Sequence, residues 1–380
     1  NASIRIWPGT RGMRVLLDAH VLGQRETGNE TYIRELLRNN GAFDRAGVRI
    51  IAAVRPGQYS EGAESVAHPR LGDDVYRLTR LLPELAAGTG ANLAHVTYHG
   101  PLTMGVPMVV TIHDVSYRLR PRFHSLRNVL VQNILGYLTA RRACMILTVS
   151  EFCRGEIQRV YPFARDRIAV TYNATELPAP PPADRARARL EALGLSRSRF
   201  VFSIGLFQPR KNLQRLARAF IAEFGLDSDI QLVLAGENRT GTGEAILREF
   251  SEWIDRGRIV LPGYVDPLDA SILYSECACF AFPSLYEGFG LPLVEAMHLG
   301  APILTSSTTA LPEIVGDAAT LVNPEDERDI GAGLRRMLSD PDLARSMSER
   351  GRRRASRFGG DRFAAATADA YRRALSDRLA

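Results

Sequence analysis

Lysine is almost missing from this chain. Of 48 basic residues in 380, only Lys211 is a lysine, and it directly follows Arg210. Cysteine is scarce too. Cys144, Cys153, Cys277 and Cys279 are too few for a disulfide framework in so long a chain, and none forms a Cys-x-x-Cys pair. Cys277-Ala278-Cys279 reads instead as part of a buried strand. No apolar run reaches the roughly 18 residues that cross a bilayer, and the N-terminus lacks the charged, apolar and small-residue succession of a signal peptide. The expected compartment is therefore the cytoplasm. Neither G-x-G-x-x-G after a first strand nor G-x-x-x-x-G-K-[ST] occurs, which removes support for a nicotinamide dehydrogenase or a P-loop ATPase. The arginines come without a helix-turn-helix, an aromatic stacking motif or a zinc spacing, so no nucleic-acid partner is expected.

What remains is the composition of an ordinary globular protein: 45% hydrophobic and 24% charged, with 32 glycines and 21 prolines. At about 100–200 residues per domain the length predicts two domains or three, each able to bury a core without disulfides or metals. The formal charge of +6 suits an anionic small molecule, an anionic membrane surface or nucleic acid, and by itself does not choose among them.

Apolar runs alternate with helical patterns along the chain. Met13–Asp18, Val48–Val54, Pro107–Ile112, Met145–Val149 and Arg167–Tyr172 read as strands, with Gly28–Asn39 and Val149–Val160 as amphipathic helices among them. The runs are rich in Val, Ile and Leu and do not alternate with polar residues, which predicts parallel strands covered on both faces. Prolines in Leu177–Asp184 then stop regular structure and make a semi-rigid spacer. Beyond it the pattern restarts, with strands expected at Phe200–Gly205, Ile230–Gly236, Arg258–Leu261, Ala278–Pro283, Pro302–Thr305 and Ala319–Val322. The expected division is 1–176, a spacer at 177–184, and 185–359, the two long parts being α/β domains of the doubly wound, Rossmann-like kind. Asp361–Leu379 follows as a helix with Ala364, Ala368, Tyr371, Leu375 and Leu379 on one stripe. Residues 1–12 fit no element and read as an upstream extension or an expression remnant.

Open parallel sheets bind ligands beyond the carboxyl ends of their strands. Every unusual cluster falls there: Gly28-Asn29-Glu30 after the first strand, His113-Asp114, Gln208-Pro209-Arg210-Lys211-Asn212, and the run Pro283–Pro292. Two domains with facing strand ends would gather all four in one interdomain cleft. Glycines around Glu287 let backbone approach a ligand, and Pro292 suits a helix's first turn. A helix beginning near Leu291 aims free N–H groups at an anion, and Arg210 and Lys211 add two fixed cations, which makes a candidate diphosphate site. Glu295, about one turn along, suits a ribose diol, and Glu287 can serve a sugar in the same way. Two glutamates at that separation are common by chance; the whole string carries the reading.

That string, Phe282-Pro283-Ser284-Leu285-Tyr286-Glu287-Gly288-Phe289-Gly290-Leu291-Pro292-Leu293-Val294-Glu295-Ala296-Met297, resembles the signature of the retaining glycosyltransferases of family 4 (group 1). Further matches run in order along the chain: Thr111-Ile112-His113-Asp114, Val149-Ser150-Glu151-Phe152, Gly205 through Leu213, and Leu311 through Ala318. The resemblance implies a GT-B fold, two Rossmann-like domains facing an interdomain cleft, with the acceptor side N-terminal and the nucleotide-sugar side C-terminal. It implies that Arg210 and Lys211 bind the donor diphosphate and stabilise the departing nucleotide, and that Glu295 binds the ribose. Glu287 and the backbone of Gly288, Phe289 and Gly290 would hold the transferred sugar and phosphate, with Leu291 opening the helix behind them. His113 would position the sugar, and Gly28, Asp114 and Gly205 belong to the same ligand-side loops. The helix within 360–380 would cross back onto the N-terminal domain. Two positions depart from the pattern: Glu30 replaces a second loop glycine, and Asn173-Ala174 stands where Asn-Gly is common.

The implied reaction is transfer of a hexosyl group, with GDP-mannose as first guess for the donor, to a hydroxyl of a sugar or lipid-linked glycan. A sugar-nucleotide epimerase or hydrolase on the same scaffold, or a non-catalytic nucleotide-sugar binder, are the alternatives. No metal or cofactor is expected. Asp227-Ser228-Asp229 precedes a strand at the wrong end of the sheet, Asp340-Pro341-Asp342 sits at a helix start, and His95 and His99 straddle a strand and its loop, so none reads as a ligand set. Arg118, Arg120, Arg122, Arg127, Arg141 and Arg142 surround the amphipathic segment Phe123–Leu138, which reads as a solvated face or as a peripheral contact with an anionic membrane.

Overall fold

The computed structural model describes residues 12–24, 27–58, 60–195, 199–225, 229–238 and 241–376. Residues 1–11, Asp227-Ser228 and Leu379, on which parts of the sequence reading fell, lie outside them. The chain forms two compact units: Asn1–Val149 with Arg154–Tyr172 and Gly360–Ala380, and Ser150–Cys153 with Asn173–Gly359.

The first unit is built on a seven-stranded parallel sheet. Its strands are β1 (Met13–Asp18), β2 (Val48–Val54), β3 (Glu64–Ala67), β4 (Leu93–Thr97), β5 (Met108–Thr111), β6 (Met145–Thr148) and β7 (Ile168–Val170), in the order β3-β2-β1-β4-β5-β6-β7. Leu16 lies opposite Ile51 on β2 and Ala94 on β4, and all three are buried, as expected for strands with helices on both faces. The order reverses between β1 and β4, and that switch opens a crevice at the strands' carboxyl ends. One strand went unread in the sequence for a physical reason: β3 is a short, mostly exposed edge strand with Glu64 and Ser65 in it. β4, with His95 and Thr97 among small apolar residues, is the strand that His95 and His99 were expected to straddle with its loop, and His99 lies just beyond its end.

The helices that matter here are α1 (Thr27–Arg38), α2 (Leu126–Arg142), α3 (Glu151–Val160), α4 (Leu213–Phe224), α5 (Pro267–Glu276), α6 (Leu291–Leu299) and α7 (Gly360–Ser376). No described helix is long and apolar enough to cross a membrane. In the second unit the strands β8 (Arg199–Ile204), β9 (Ile230–Ala235), β10 (Ile259–Gly263), β11 (Cys279–Phe282), β12 (Ile303–Ser306) and β13 (Ala319–Val322) make a parallel sheet in the order β10-β9-β8-β11-β12-β13. Its switch lies between β8 and β11. The chain changes unit between Tyr172 and Asn173, ahead of the proline run, which counts entirely with the second unit. Helix Ala183–Ala192 already begins inside that run, because the preceding Pro182 leaves Ala183 free to enter the first turn.

Helix α7 belongs to the first unit and buries Phe363, Ala364, Ala368 and Tyr371 there. Tyr371 stacks on Phe43, and Phe363 meets the edge of Tyr32. At the centre lies a buried polar chain. The Tyr371 hydroxyl is 2.6 Å from His95 Nδ1, His95 Nε2 is 2.7 Å from Thr111 Oγ1, and Thr111 Oγ1 is 2.8 Å from the Tyr32 hydroxyl. Burial lowers the His95 pKa to about 3, so the ring is neutral, donating from one nitrogen and accepting at the other. Tyr371→Phe removes one partner and strands His95 Nδ1 in the core. A loss of about 1–3 kcal/mol is expected in denaturant unfolding followed at the first unit.

Candidate active site

In the second unit the crevice between β8 and β11 is lined by the two most unusual stretches of the sequence. The turn after β8 starts at Gly205 (φ +151°), beside Gly236 (φ +140°) at the end of β9. A Cβ on Gly236 would sit 1.9 Å from the Gly205 carbonyl oxygen, and one on Gly205 would press on the Lys211 side chain at 3.3 Å. Glycine is a steric requirement at position 236, and at 205 the positive φ favours it. A single 3-10 turn, Pro209–Lys211, follows, and Asn212 ends it in the left-handed region (φ +62°), which asparagine tolerates. The Asn212 amide donates to the carbonyls of Pro283 (2.9 Å) and Pro324 (2.7 Å), while Leu285 N–H donates to the Arg210 carbonyl at 2.8 Å. The two loops are thereby tied together by uncharged hydrogen bonds before any charge is counted.

Across this seam Glu287 receives both cations. Lys211 Nζ donates to Oε1 at 2.6 Å and Arg210 Nη1 to Oε2 at 3.0 Å, with a second Arg210 bond to the Tyr286 carbonyl at 3.3 Å. Burial by itself raises the Glu287 carboxyl, but Lys211 and Arg210 outweigh it and hold it below the ordinary range. Burial likewise lowers the Lys211 pKa against the pull of Glu287. Lys211 also stands 4.7 Å from the centre of the Phe282 ring. Both side chains of the Lys211–Glu287 pair are 10% exposed, whereas Arg210 is 30% exposed.

The helix expected near Leu291 starts there, with Gly290 as its N-cap at φ +96° and Pro292 in its first turn. A Cβ on Gly290 would meet Leu311 at 2.8 Å. Glu295 lies on α6 with both oxygens engaged: Oε1 accepts from the Thr175 hydroxyl at 3.2 Å and Oε2 from the Tyr274 hydroxyl of α5 at 2.8 Å. Burial raises its pKa, partly countered by those hydroxyls and by Lys211. The Phe289 side chain is buried edge-on against Phe358, which leaves only its backbone for a ligand. Ser150 Oγ donates to the Gly288 carbonyl at 2.6 Å, and Glu313 accepts the N–H groups of Glu151 and Phe152 at 2.8 and 2.9 Å. Leu311–Ala318, a match in sequence without an assigned role, thus caps the start of α3. Sequence reading did not single out Thr175, Tyr274, Gly236 or the Glu313 cap.

The first unit holds the remaining candidates. His113 follows β5, with Nε2 3.3 Å from Asn29 Oδ1 of α1 and the edge of Tyr32 against its ring at 4.8 Å. Burial lowers its pKa to about 4, against the pull of Asp114. Asp114 accepts the Ser116 N–H at 2.8 Å and so shapes the turn. Gly28 is exposed and a Cβ there would meet nothing, so packing does not require glycine. Glu30 accepts the Gly23 N–H at 3.0 Å and pairs with Arg34, closing the loop with its own carboxylate. Tyr98, 5.4 Å from the His113 ring, holds φ +56°, a strained value for an aromatic residue, at the carboxyl end of β4. Asp18, fully buried at the end of β1, pairs with Arg77 and with His20 Nδ1 at 3.0 Å. Burial raises the Asp18 carboxyl, but His20 and Arg77 prevail and keep it ionised. Among the described residues no three His, Cys, Asp or Glu side chains group as a metal-binding set.

Comparison with known proteins bears on this arrangement. Residues 188–354 match the model of glycosyl transferases group 1, and residues 27–177 that of glycosyltransferase family 4. O-antigen chain mannosyltransferase B of Escherichia coli is 32% identical over 308 residues, covering 79% of each chain. MMP alpha-(1->4)-mannosyltransferase of Mycolicibacterium hassiacum is 31% identical over 288 residues, 72% of this chain and 67% of that one. Among solved structures, sucrose-phosphate synthase of Thermosynechococcus elongatus has the same fold, with a TM-score of 0.77 at 20% identity over 96% of this chain and 100% of the other. With two parallel-sheet Rossmann-like domains and these matches, the chain is a GT-B glycosyltransferase and belongs to glycosyltransferase family 4, group 1.

Proposed function

We propose that this glycosyltransferase moves a mannosyl group from GDP-mannose, with retention at the sugar carbon, to a hydroxyl of a sugar or lipid-linked glycan in the cytoplasm. The observation that carries the donor reading is the meeting of Lys211, Arg210 and Glu287 beside the N-terminus of α6, at the switch of one sheet. The mannosyl choice rests on the two relatives named as mannosyltransferases. Retention rests on the family resemblance. The cytoplasm rests on the scarcity of cysteine, too little for a disulfide framework in a chain of this length.

The chemistry follows from where charge appears. Cleaving a glycosyl–phosphate bond leaves positive character on the sugar carbon and negative charge on the diphosphate, so cations already fixed in place lower the barrier without reorganising. In this reading Glu287 is the counter-ion that keeps Lys211 and Arg210 aimed while the donor is away. The diphosphate then shares those cations with Glu287 and the first-turn N–H groups of α6, so no metal is needed. Glu295 accepts the ribose hydroxyls, held in line by Thr175 and Tyr274. His113, neutral at physiological pH, is the first unit's candidate for hydrogen-bonding a sugar, a role that rests on the family resemblance.

Product analysis with GDP-mannose and a glycan acceptor tests the proposal: new glycoside and GDP are expected, and hydrolysis alone or isomerised sugar nucleotide would refute it. In a thermal-shift panel of GDP-, UDP-, ADP- and dTDP-sugars, GDP-mannose is expected to stabilise the protein most. Lys211→Ala and Glu295→Ala should flatten that shift, with kcat/KM for Lys211→Ala lower by about 100-fold or more. Glu287→Ala leaves two cations without their counter-charge, at a cost of about 3–5 kcal/mol. Added GDP should raise its melting temperature by more than it raises that of the parent. Since His113 titrates at about 4, the pH profile of kcat/KM should show no inflection near the ordinary histidine value of about 6.5 that His113→Asn abolishes.

A further inference from the structure

The sugar chemistry leaves α2 unused, and its surface is unlike the rest of the molecule. Leu126, Leu130, Ile134 and Tyr137 are 88%, 62%, 51% and 42% exposed. At 100° per residue they fall within an arc of about 80°, with Arg141 inside the arc and Arg127 at its border. The opposite side of the helix is anchored in the first unit. Gly136, Thr139 and Ala140 are buried, Thr139 Oγ1 accepts the Gly100 N–H at 3.0 Å, and Gln132 Oε1 lies 3.0 Å from His99 Nε2. The outward stripe is therefore presented by a fixed helix. Phe163 extends it, 5.5 Å from Tyr137 and 5.6 Å from the Arg141 guanidinium.

Charge selects what can cover such a face. From Val115 to Ser150 the sequence contains six arginines and neither an aspartate nor a glutamate. A second copy of this chain docked symmetrically through the same face would set those arginines against themselves. A bilayer with anionic headgroups takes the leucine, isoleucine and tyrosine side chains into its acyl boundary and the guanidinium groups onto its phosphates. At 17 residues α2 lies along such an interface and does not span it.

We propose that the exposed face of α2, with Phe163 and the arginines around it, docks the protein on an anionic lipid surface. Combined with the transferase reading, on which this step alone rests, docking favours a lipid-linked acceptor over a free sugar.

The test uses the full chain and no sugar substrate, so its failure leaves the transferase reading standing. Cosedimentation is measured with phosphatidylcholine vesicles, with and without phosphatidylglycerol. Binding is expected only to the anionic vesicles and should weaken with salt. Arg127→Glu/Arg141→Glu and Leu130→Ser/Ile134→Ser should each lower the bound partition by about tenfold or more, while the control Arg345→Glu/Arg353→Glu, with the same charge change on the second unit, binds like the parent. All these side chains are exposed, and unchanged melting temperatures check that folding is intact. Equal binding to neutral vesicles, retained binding in the Leu130→Ser/Ile134→Ser protein, or an equal loss in the control would overturn the proposal. So would a dimer that the same α2 substitutions dissolve.

Discussion

A carboxylate clamped between an ammonium and a guanidinium governs the second unit. Glu287 arrives on the loop after β11, Lys211 and Arg210 on the turn after β8, and neither half can be buried alone without a large desolvation cost. The pair is tolerated because uncharged hydrogen bonds, Leu285 N–H to the Arg210 carbonyl and the Asn212 side chain to the Pro283 carbonyl, already join the loops. Glycines at 205 and 236 make the room, and no side chain larger than hydrogen could stand at Gly236. The single lysine of the chain is spent here. Its four-carbon stem reaches past Phe282 to a compact charge that a broad, planar guanidinium would not reproduce.

Much of this was legible because the chemistry is packed into short strings. Strand positions, the helix start at Leu291 and the company kept by Lys211 and Glu287 follow from apolar runs, from glycine and proline, and from the rule that ligands sit at strand carboxyl ends. Thr175 and Tyr274 were not legible. They reach Glu295 from 120 and 21 residues away, and Tyr274 looks like any aromatic on the buried side of a helix. The edge strand β3 was hidden by its polar residues. The proline run misled in a different way: prolines mark where regular structure halts, and the chain had passed into the second unit several residues earlier.

In the first unit the corresponding crevice carries strain and buried charge. Tyr98 is held left-handed beside His113, and Asp18 is sunk between Arg77 and His20 at the end of β1. Arg77 sits in a stretch of π-helix, Arg77–Leu81, a wide turn that proteins retain mostly where it serves a site. Neither feature shows in residue type or spacing, because both depend on where the backbone was forced to go.

The first unit is completed by residues made after the whole of the second. Tyr371 and Phe363 close a core whose other members precede residue 173, and Asn173–Gly359 intervenes. At about 5–20 residues per second, a ribosome needs on the order of ten seconds or more to deliver that stretch. Throughout that interval the nascent first unit waits with an open groove where α7 will lie, so the second unit can complete its fold before the first.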